Sequence, residues 1–175
     1  MNPYFLRLVF VLMISIFLKQ AYAENNYQVT STIATTVNSV FLPQNMKWTE
    51  GPDSLPKGAE IAVLEGDPTK SGPYTLRIKI PANYRIMPHW HPIIEHITVI
   101  SGSISLGMGD TFDAEKMTTL PTGTFAYMPA KMHHFAATKE ASILQLHGVG
   151  PWGITYINPN DDPRHQVKVN NKVQG

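Results

Sequence analysis

The chain contains no cysteine. Disulfides, thiolate nucleophiles and cysteine-bound metal clusters are therefore excluded. Charge is scarce and balanced, with Asp, Glu, Lys and Arg making up 15% of the residues and 14 basic against 13 acidic side chains. Nothing in that balance attracts nucleic acid or an anionic membrane surface. No long stretch repeats apolar residues at helical spacing, so an all-α or α/β chain is not expected. There is also no apolar run long enough to span a bilayer comfortably; the longest, residues 8–18, is too short.

That short run belongs to a different pattern. Arg7 precedes it, and Ala21-Tyr22-Ala23 follows as a small-x-small site. Together they read as a secretory signal peptide over residues 1–23, cleaved after Ala23, which predicts a secreted or periplasmic protein. No Cys follows the site, which argues against a lipid anchor. Without Arg7 and Lys19 the basic count falls from 14 to 12 against 13 acidic residues, a formal charge of −1. No membrane association is expected after cleavage.

What the chain has in quantity is turn residues, 14 Pro and 12 Gly, and short apolar runs between them. Residues 24–45 are polar and read as an N-terminal arm, with an edge strand near Ser39-Val40-Phe41-Leu42. Ile61–Leu64 reads as a short buried strand. Tyr74-Thr75-Leu76-Arg77-Ile78-Lys79-Ile80 alternates apolar and polar as a half-buried strand does. Residues 97–100 and 103–108 suggest a hairpin about Ser101-Gly102, and Leu120-Pro121-Thr122-Gly123 suggests a turn. Further strands are expected over 124–128, 132–137, 142–147 and 154–157. Residues 163–175 read as a loose polar tail. Many short strands at regular spacing mean a β-sandwich or barrel.

Chemistry concentrates in His89-Trp90-His91-Pro92-Ile93-Ile94-Glu95. Residues two apart on a strand share a face, so His89 and His91 point the same way. Pro92 cannot sit in a central ladder, so the chain bends there and Glu95 returns from the next strand. Two neutral nitrogens and a carboxylate form a first shell for a divalent transition metal. The segment Pro129–His134 should supply a fourth ligand from His133 or His134, of which only one can face the metal. His96 has the wrong parity for a ligand. Gln145 and His147 share a face of a late strand. If that face looks inward, His147 is a catalytic acid–base group; otherwise it is a strand-end histidine satisfied by backbone. Trp152 and Tyr127 are candidates to line the mouth of the site.

These residues resemble the two motifs of the cupin superfamily. In the first, G-x-x-x-x-x-H-x-H-x-x-x-E-x-x-x-x-x-x-G, the residues His89, His91, Glu95 and Gly102 fall in register, with Asn83 in place of the leading Gly. In the second, G-x-x-x-x-x-P-x-G-x-x-H-x-x-x-N, the residues Gly123, Pro129 and His134 match, with Lys131 and Thr138 replacing Gly and Asn. The register favours His134 over His133. The match runs over residues 59–157, and the text around 147–153 and 161–164 is similar to small exported single-domain bacterial cupins. The resemblance implies a double-stranded β-helix, the jelly-roll cupin barrel, over residues 46–162, and a homodimer. It also implies one divalent transition metal, Fe, Mn, Ni or Zn, held by His89, His91, Glu95 and His134. Two functions fit. One is a metal-dependent enzyme, an oxygenase, isomerase or lyase, acting on a small organic molecule outside the cytoplasm. The other is a non-catalytic module that binds or senses a small ligand or the metal itself.

Overall fold

The computed structural model describes residues 40–165 together with Lys19 and Gln20. Two compact units divide the chain, residues 1–46 and 47–175. The expected signal peptide lies almost wholly outside the described residues, as does most of the expected arm and tail. In the first unit, Val40–Leu42 form no strand, and a short 3-10 turn follows over Pro43–Asn45. The edge strand expected near residue 40 is therefore not present where the chain is described. Pro43 begins a helical turn instead, and its missing N–H suits that position.

The second unit is all-β and is built from two antiparallel sheets. In chain order the strands are β1 (Thr49–Glu50), β2 (Glu60–Glu65), β3 (Gly72–Ile80), β4 (Arg85–Trp90), β5 (Glu95–Ser101), β6 (Ser103–Met108), β7 (Thr118–Pro121), β8 (Phe125–Met128), β9 (His134–Ala137), β10 (Ser142–Gly150) and β11 (Thr155–Tyr156). One sheet has the order β1-β2-β3-β10-β5-β8 and the other β11-β4-β9-β6-β7. Sheets of non-sequential order packed face to face are the jelly-roll architecture.

Alternation explains the packing. On β3, Tyr74, Leu76, Ile78 and Ile80 are buried, while Thr75, Arg77 and Lys79 are not. On β10, Leu144 and Leu146 are buried beside them in register with Ile78 and Leu76. Ile97 and Val99 of β5 meet Ile104 and Leu106 of β6 in the same core. No disulfide contributes, so this burial carries the fold; each such side chain is worth roughly 1.5–3 kcal/mol.

One sequence expectation fails here and another holds in part. Residues 97–100 and 103–108 form strands, but not a hairpin: β5 and β6 lie in different sheets. The one-residue corner at Gly102, with φ 71°, carries the chain across the core, so the apolar faces of the strands oppose each other rather than lie side by side. A Cβ at that corner would lie 2.6 Å from the Ala141 carbonyl oxygen. The turn expected over Leu120-Pro121-Thr122-Gly123 is present but begins later: Thr122 and Gly123 form it, with Thr124 N–H donating to the Pro121 carbonyl at 3.1 Å. Leu120 and Pro121 belong to β7, an edge strand that pairs with β6, where a proline lacking its N–H is tolerated.

Candidate metal centre

Four chemistry-bearing side chains sit at strand ends around one end of the sheet pair. His89 is next to last in β4, His91 lies just past it, Glu95 opens β5 and His134 opens β9. The β4–β9 ladder pairs His89 directly with His134, and β11 places Tyr156 on the other side of His89. Pro92 ends the pairing of β4, and the bend returns Glu95 to His91, as its parity and that proline suggest. Exposure is 3% for His89, 3% for His91, 4% for Glu95 and 2% for His134. Four buried polar side chains in an aliphatic barrel require partners.

The imidazoles find theirs on one nitrogen each. His89 Nδ1 lies 2.7 Å from the Met87 carbonyl oxygen, His91 Nδ1 2.8 Å from that of Gly153, and His134 Nδ1 3.0 Å from that of Met132. A carbonyl only accepts, so each Nδ1 must carry the proton and donate it. In the neutral rings each Nε2 is then an unprotonated lone pair. One coordinating nitrogen from each of the three rings lies within 4.8 Å of those of the other two. The His91 Nε2 has no hydrogen-bond partner, although it sits 3.2 Å from Glu95 Oε2; the two atoms are close but not aligned for a bond. His134 Nε2 lies 3.7 Å from the same oxygen. Ligands to one transition metal at about 2.1 Å sit about 3 Å apart when adjacent. Converging lone pairs around a carboxylate, with an orphaned nitrogen among them, suit a cation, and the three buried histidines could hold a metal ion.

Electrostatics separates the rings. Burial, and then the neighbouring His134 and His91, push the His89 pKa down to about 3, so that ring is neutral and free to coordinate. Burial also opposes charge on His91, but the Glu95 carboxylate outweighs it and its pKa is raised. Burial works against ionising Glu95; His91 and His134 overcome it and hold the carboxyl well below the usual range.

Trp152 completes the shell. Its indole stacks on His91 at 5.7 Å between centroids, and its Nε1–H donates to Glu95 Oε1 at 3.2 Å. The tryptophan read as a mouth-lining residue thus also orients the acid. Tyr74 was not singled out by its sequence, where it reads as a core residue. Its buried hydroxyl has no hydrogen-bond partner, and burial together with the Glu95 charge raises its pKa. The remaining wall is aliphatic, including Ile80, Ile97, Leu106, Leu144 and Ile154, around a cavity of about 40 Å³.

Other candidates fall elsewhere. His133 points away from the barrel, with Nδ1 2.6 Å from Asp110 Oδ1. His147 does not face the cavity. Leu144 and Leu146 are the buried face of β10, so Gln145 and His147 lie on the outer face. There His147 stacks on His96 at 4.8 Å, across the ladder from it. That placement removes the inward-facing condition on which an acid–base role for His147 depended, and it leaves His96 away from the triad as well. Tyr127, 61% exposed on β8, is also on the outer face and not at the mouth.

Comparison with known proteins agrees with this geometry. No curated protein matches the chain by sequence. Among solved structures, the polyketide cyclase RemF of Streptomyces resistomycificus superposes with a TM-score of 0.56 at 16% identity, covering 74% of this chain and 92% of its own. A putative acetylacetone dioxygenase of Methylibium petroleiphilum gives 0.53 at 18%, covering 73% and 86%. The acetylacetone dioxygenase of Acinetobacter johnsonii gives 0.52 at 16%, covering 70% and 79%. At such identities these likenesses speak for the fold alone. The family described as the ChrR cupin-like domain matches residues 36–152, a span that holds His89, His91, Glu95, His134 and Trp152. With the jelly roll and the histidine triad both in place, that match over well more than half its length makes the chain a cupin, and it belongs to the ChrR cupin-like domain family.

Proposed function

We propose that His89, His91, Glu95 and His134 hold one divalent transition metal, Fe, Mn, Ni or Zn, and that the protein is a metal-dependent enzyme of the oxygenase, isomerase or lyase class. Its substrate is a small organic molecule met outside the cytoplasm. The observation that carries this reading is the set of three buried imidazoles, each pinned through Nδ1 to a backbone carbonyl so that Nε2 is presented unprotonated beside a buried carboxylate. Such pinning is how metal sites fix ligand tautomer and orientation.

Four ligands leave two positions open on a six-coordinate ion, and the bound metal would supply Lewis acidity or redox chemistry to a small molecule there. The chain's own contributions are distinct. Trp152 holds Glu95 by its indole N–H. The aliphatic wall gives the site a low-dielectric surround that favours a compact apolar substrate body.

One observation favours the second reading, a non-catalytic sensor or metal-binding module. A cavity of about 40 Å³ accommodates a few water molecules rather than a metabolite. Export on residues 1–23 and assembly as a homodimer belong to the proposal as well. They are supported by the Arg7, apolar-run and Ala21-Tyr22-Ala23 pattern and by the family resemblance. N-terminal sequencing and light scattering on protein recovered from the periplasm or medium test these two points.

Elemental analysis of protein purified from its native compartment, with a parallel anaerobic preparation, tests the centre itself. About one transition-metal ion per chain, lost in His91→Ala, is expected. Substoichiometric metal in the wild type, or full retention in His91→Ala, refutes the site. Turnover of a panel of small oxygen-bearing molecules that ceases on chelation identifies an enzyme. Saturable binding without product identifies a sensor.

A further inference from the structure

A groove lies on the opposite face of the five-stranded sheet from the triad. Arg85, Ala137, Ser105 and Thr119 form one cross-strand row over β4, β9, β6 and β7, because Arg85 pairs with Ala137, Ala137 with Ser105 and Ser105 with Thr119. The small Ala137 leaves a depression in the middle of that row. The segment 112–117 rises beside it with Phe112 and Met117, and Asn83 and Lys139 also line it, giving a groove of about 400 Å³. That volume is ten times the cavity at the triad and within the range of small-molecule sites.

The groove's chemistry is one-sided. Its lining carries two cations, Arg85 and Lys139, and no carboxylate. Neither cation makes a hydrogen bond or ion pair among the described residues. The nearby Asp113 is engaged by Lys116 at 3.0 Å, and Glu140 by the Ser103 hydroxyl at 2.7 Å. The Arg85 guanidinium is not loose. It lies over the Phe112 ring at 5.2 Å, and Phe112 packs on the fully buried Phe135. A guanidinium held by its face presents its N–H edges outward in the fork that matches a carboxylate. The Ser105 and Thr119 hydroxyls bond each other at 2.9 Å, which uses one of their two protons and leaves the other to donate. Phe112, Met117 and Ala137 provide apolar surface next to these donors.

We propose that this groove binds a small organic carboxylate, its charged end on Arg85 and Lys139 and its apolar body against Phe112 and Met117. The site is independent of the metal centre: Arg85 and His89 stand near opposite ends of β4, one exposed on the outer face and the other buried among the triad.

Benzoate, its neutral analogue benzamide, and inorganic phosphate serve as probes in an amide chemical-shift titration of the whole protein. Benzoate is expected to give saturable shifts at Asn83, Arg85, Ser105, Thr119 and Lys139. Benzamide should bind roughly tenfold more weakly, as should benzoate to Arg85→Gln, since each comparison removes a charge-assisted pair. Lys139→Gln should weaken benzoate by a smaller factor, and affinity should be the same with and without chelator. Benzamide binding as well as benzoate, phosphate binding more tightly than benzoate, or unchanged affinity in both variants overturns the proposal. Loss of binding on chelation alone overturns it too, by assigning the ligand to the barrel mouth.

Discussion

Replacing Trp152 by Phe isolates the outer support of the proposed metal centre from the candidate ligands themselves. The phenyl ring keeps a stacking partner for His91, whose centroid lies 5.7 Å from the indole. What is removed is the Nε1–H donated to Glu95 Oε1 at 3.2 Å. A tight charge-assisted bond measures about 2.7–2.9 Å, so this longer one belongs at the weak end of the range for bonds to ions, about 1.5 kcal/mol. Glu95 is 4% exposed, and water does not readily replace the lost donor. Metal affinity should therefore fall about tenfold, the lower edge of what loss of a partner behind a ligand typically causes. Competition against a chromophoric chelator reads that ratio directly. Thermal denaturation in excess chelator reads separately what the smaller ring does to the metal-free fold. Equal affinities in Trp152→Phe and wild type, within twofold, would refute the claim that the indole positions the acid.

Metal removal should itself be visible in stability. With free metal at about a thousand times its dissociation constant, binding adds about 4 kcal/mol, and chelation should lower Tm by on the order of 10 °C in differential scanning calorimetry; no change on chelation would contradict a folded-state site. Gly107→Ala should destabilise by about 2–3 kcal/mol in urea titration, because the new Cβ would meet the Phe135 ring at 2.2 Å and that ring is fully buried; a loss under 0.5 kcal/mol would refute the close packing assigned to Gly107. Asp162 accepts from Arg164 Nε at 2.8 Å and from its backbone N–H at 3.0 Å, and those bonds hold its carboxyl below the ordinary 3.8. A carboxylate depressed in the folded state contributes stability above its unfolded pKa and loses it as pH falls through the folded value. Asp162→Asn should therefore cost about 1 kcal/mol at neutral pH, Arg164 being half-exposed, and the difference from wild type should shrink as pH falls below 3.8. A gap that stays constant into acid would show that charge is not its source.

Much of the centre was legible because its signals are local. The period of two put His89 and His91 on one face, and Pro92 announced the bend that returns Glu95. Asn83 and Lys131 stand where the motifs have glycine, and both adopt left-handed backbone, with φ of 59° and 64°. The failures share a different cause. Ser101-Gly102 between two alternating runs is a sound hairpin signal, yet which sheet a strand joins is decided by distant partners: β10 takes β5, and β9 takes β6. His147 shows how a single residue blurs a face. Leu144 and Leu146 mark the inner side of β10, but Ile143 is apolar on the outer side, where the β10–β5 register shifts between Ile143 and Leu144. Ile143 shares the face of Gln145 and His147, so that face is not polar along its whole length.

The Trp152 and Gly153 contacts reveal why the site needs the whole chain. His89 and His134 take their tautomer from carbonyls two residues upstream, Met87 and Met132, which any short peptide holding that conformation could supply. His91 does not. Its Nδ1 reaches the carbonyl of Gly153, and its own backbone carbonyl accepts from Lys131 N–H at 2.8 Å, in the left-handed turn just before His134. The third ring is therefore fixed from two loops at once, one leading from β10 to β11 and the other from β8 to β9. Trp152, adjacent to Gly153, is itself tied by its backbone N–H to Pro68, in the connection between β2 and β3. Four candidate ligands close in sequence or in register thus form a preorganised cluster only when connections from across the barrel close over them; the β4–β9 ladder that pairs His89 with His134 does not by itself fix His91 or Glu95.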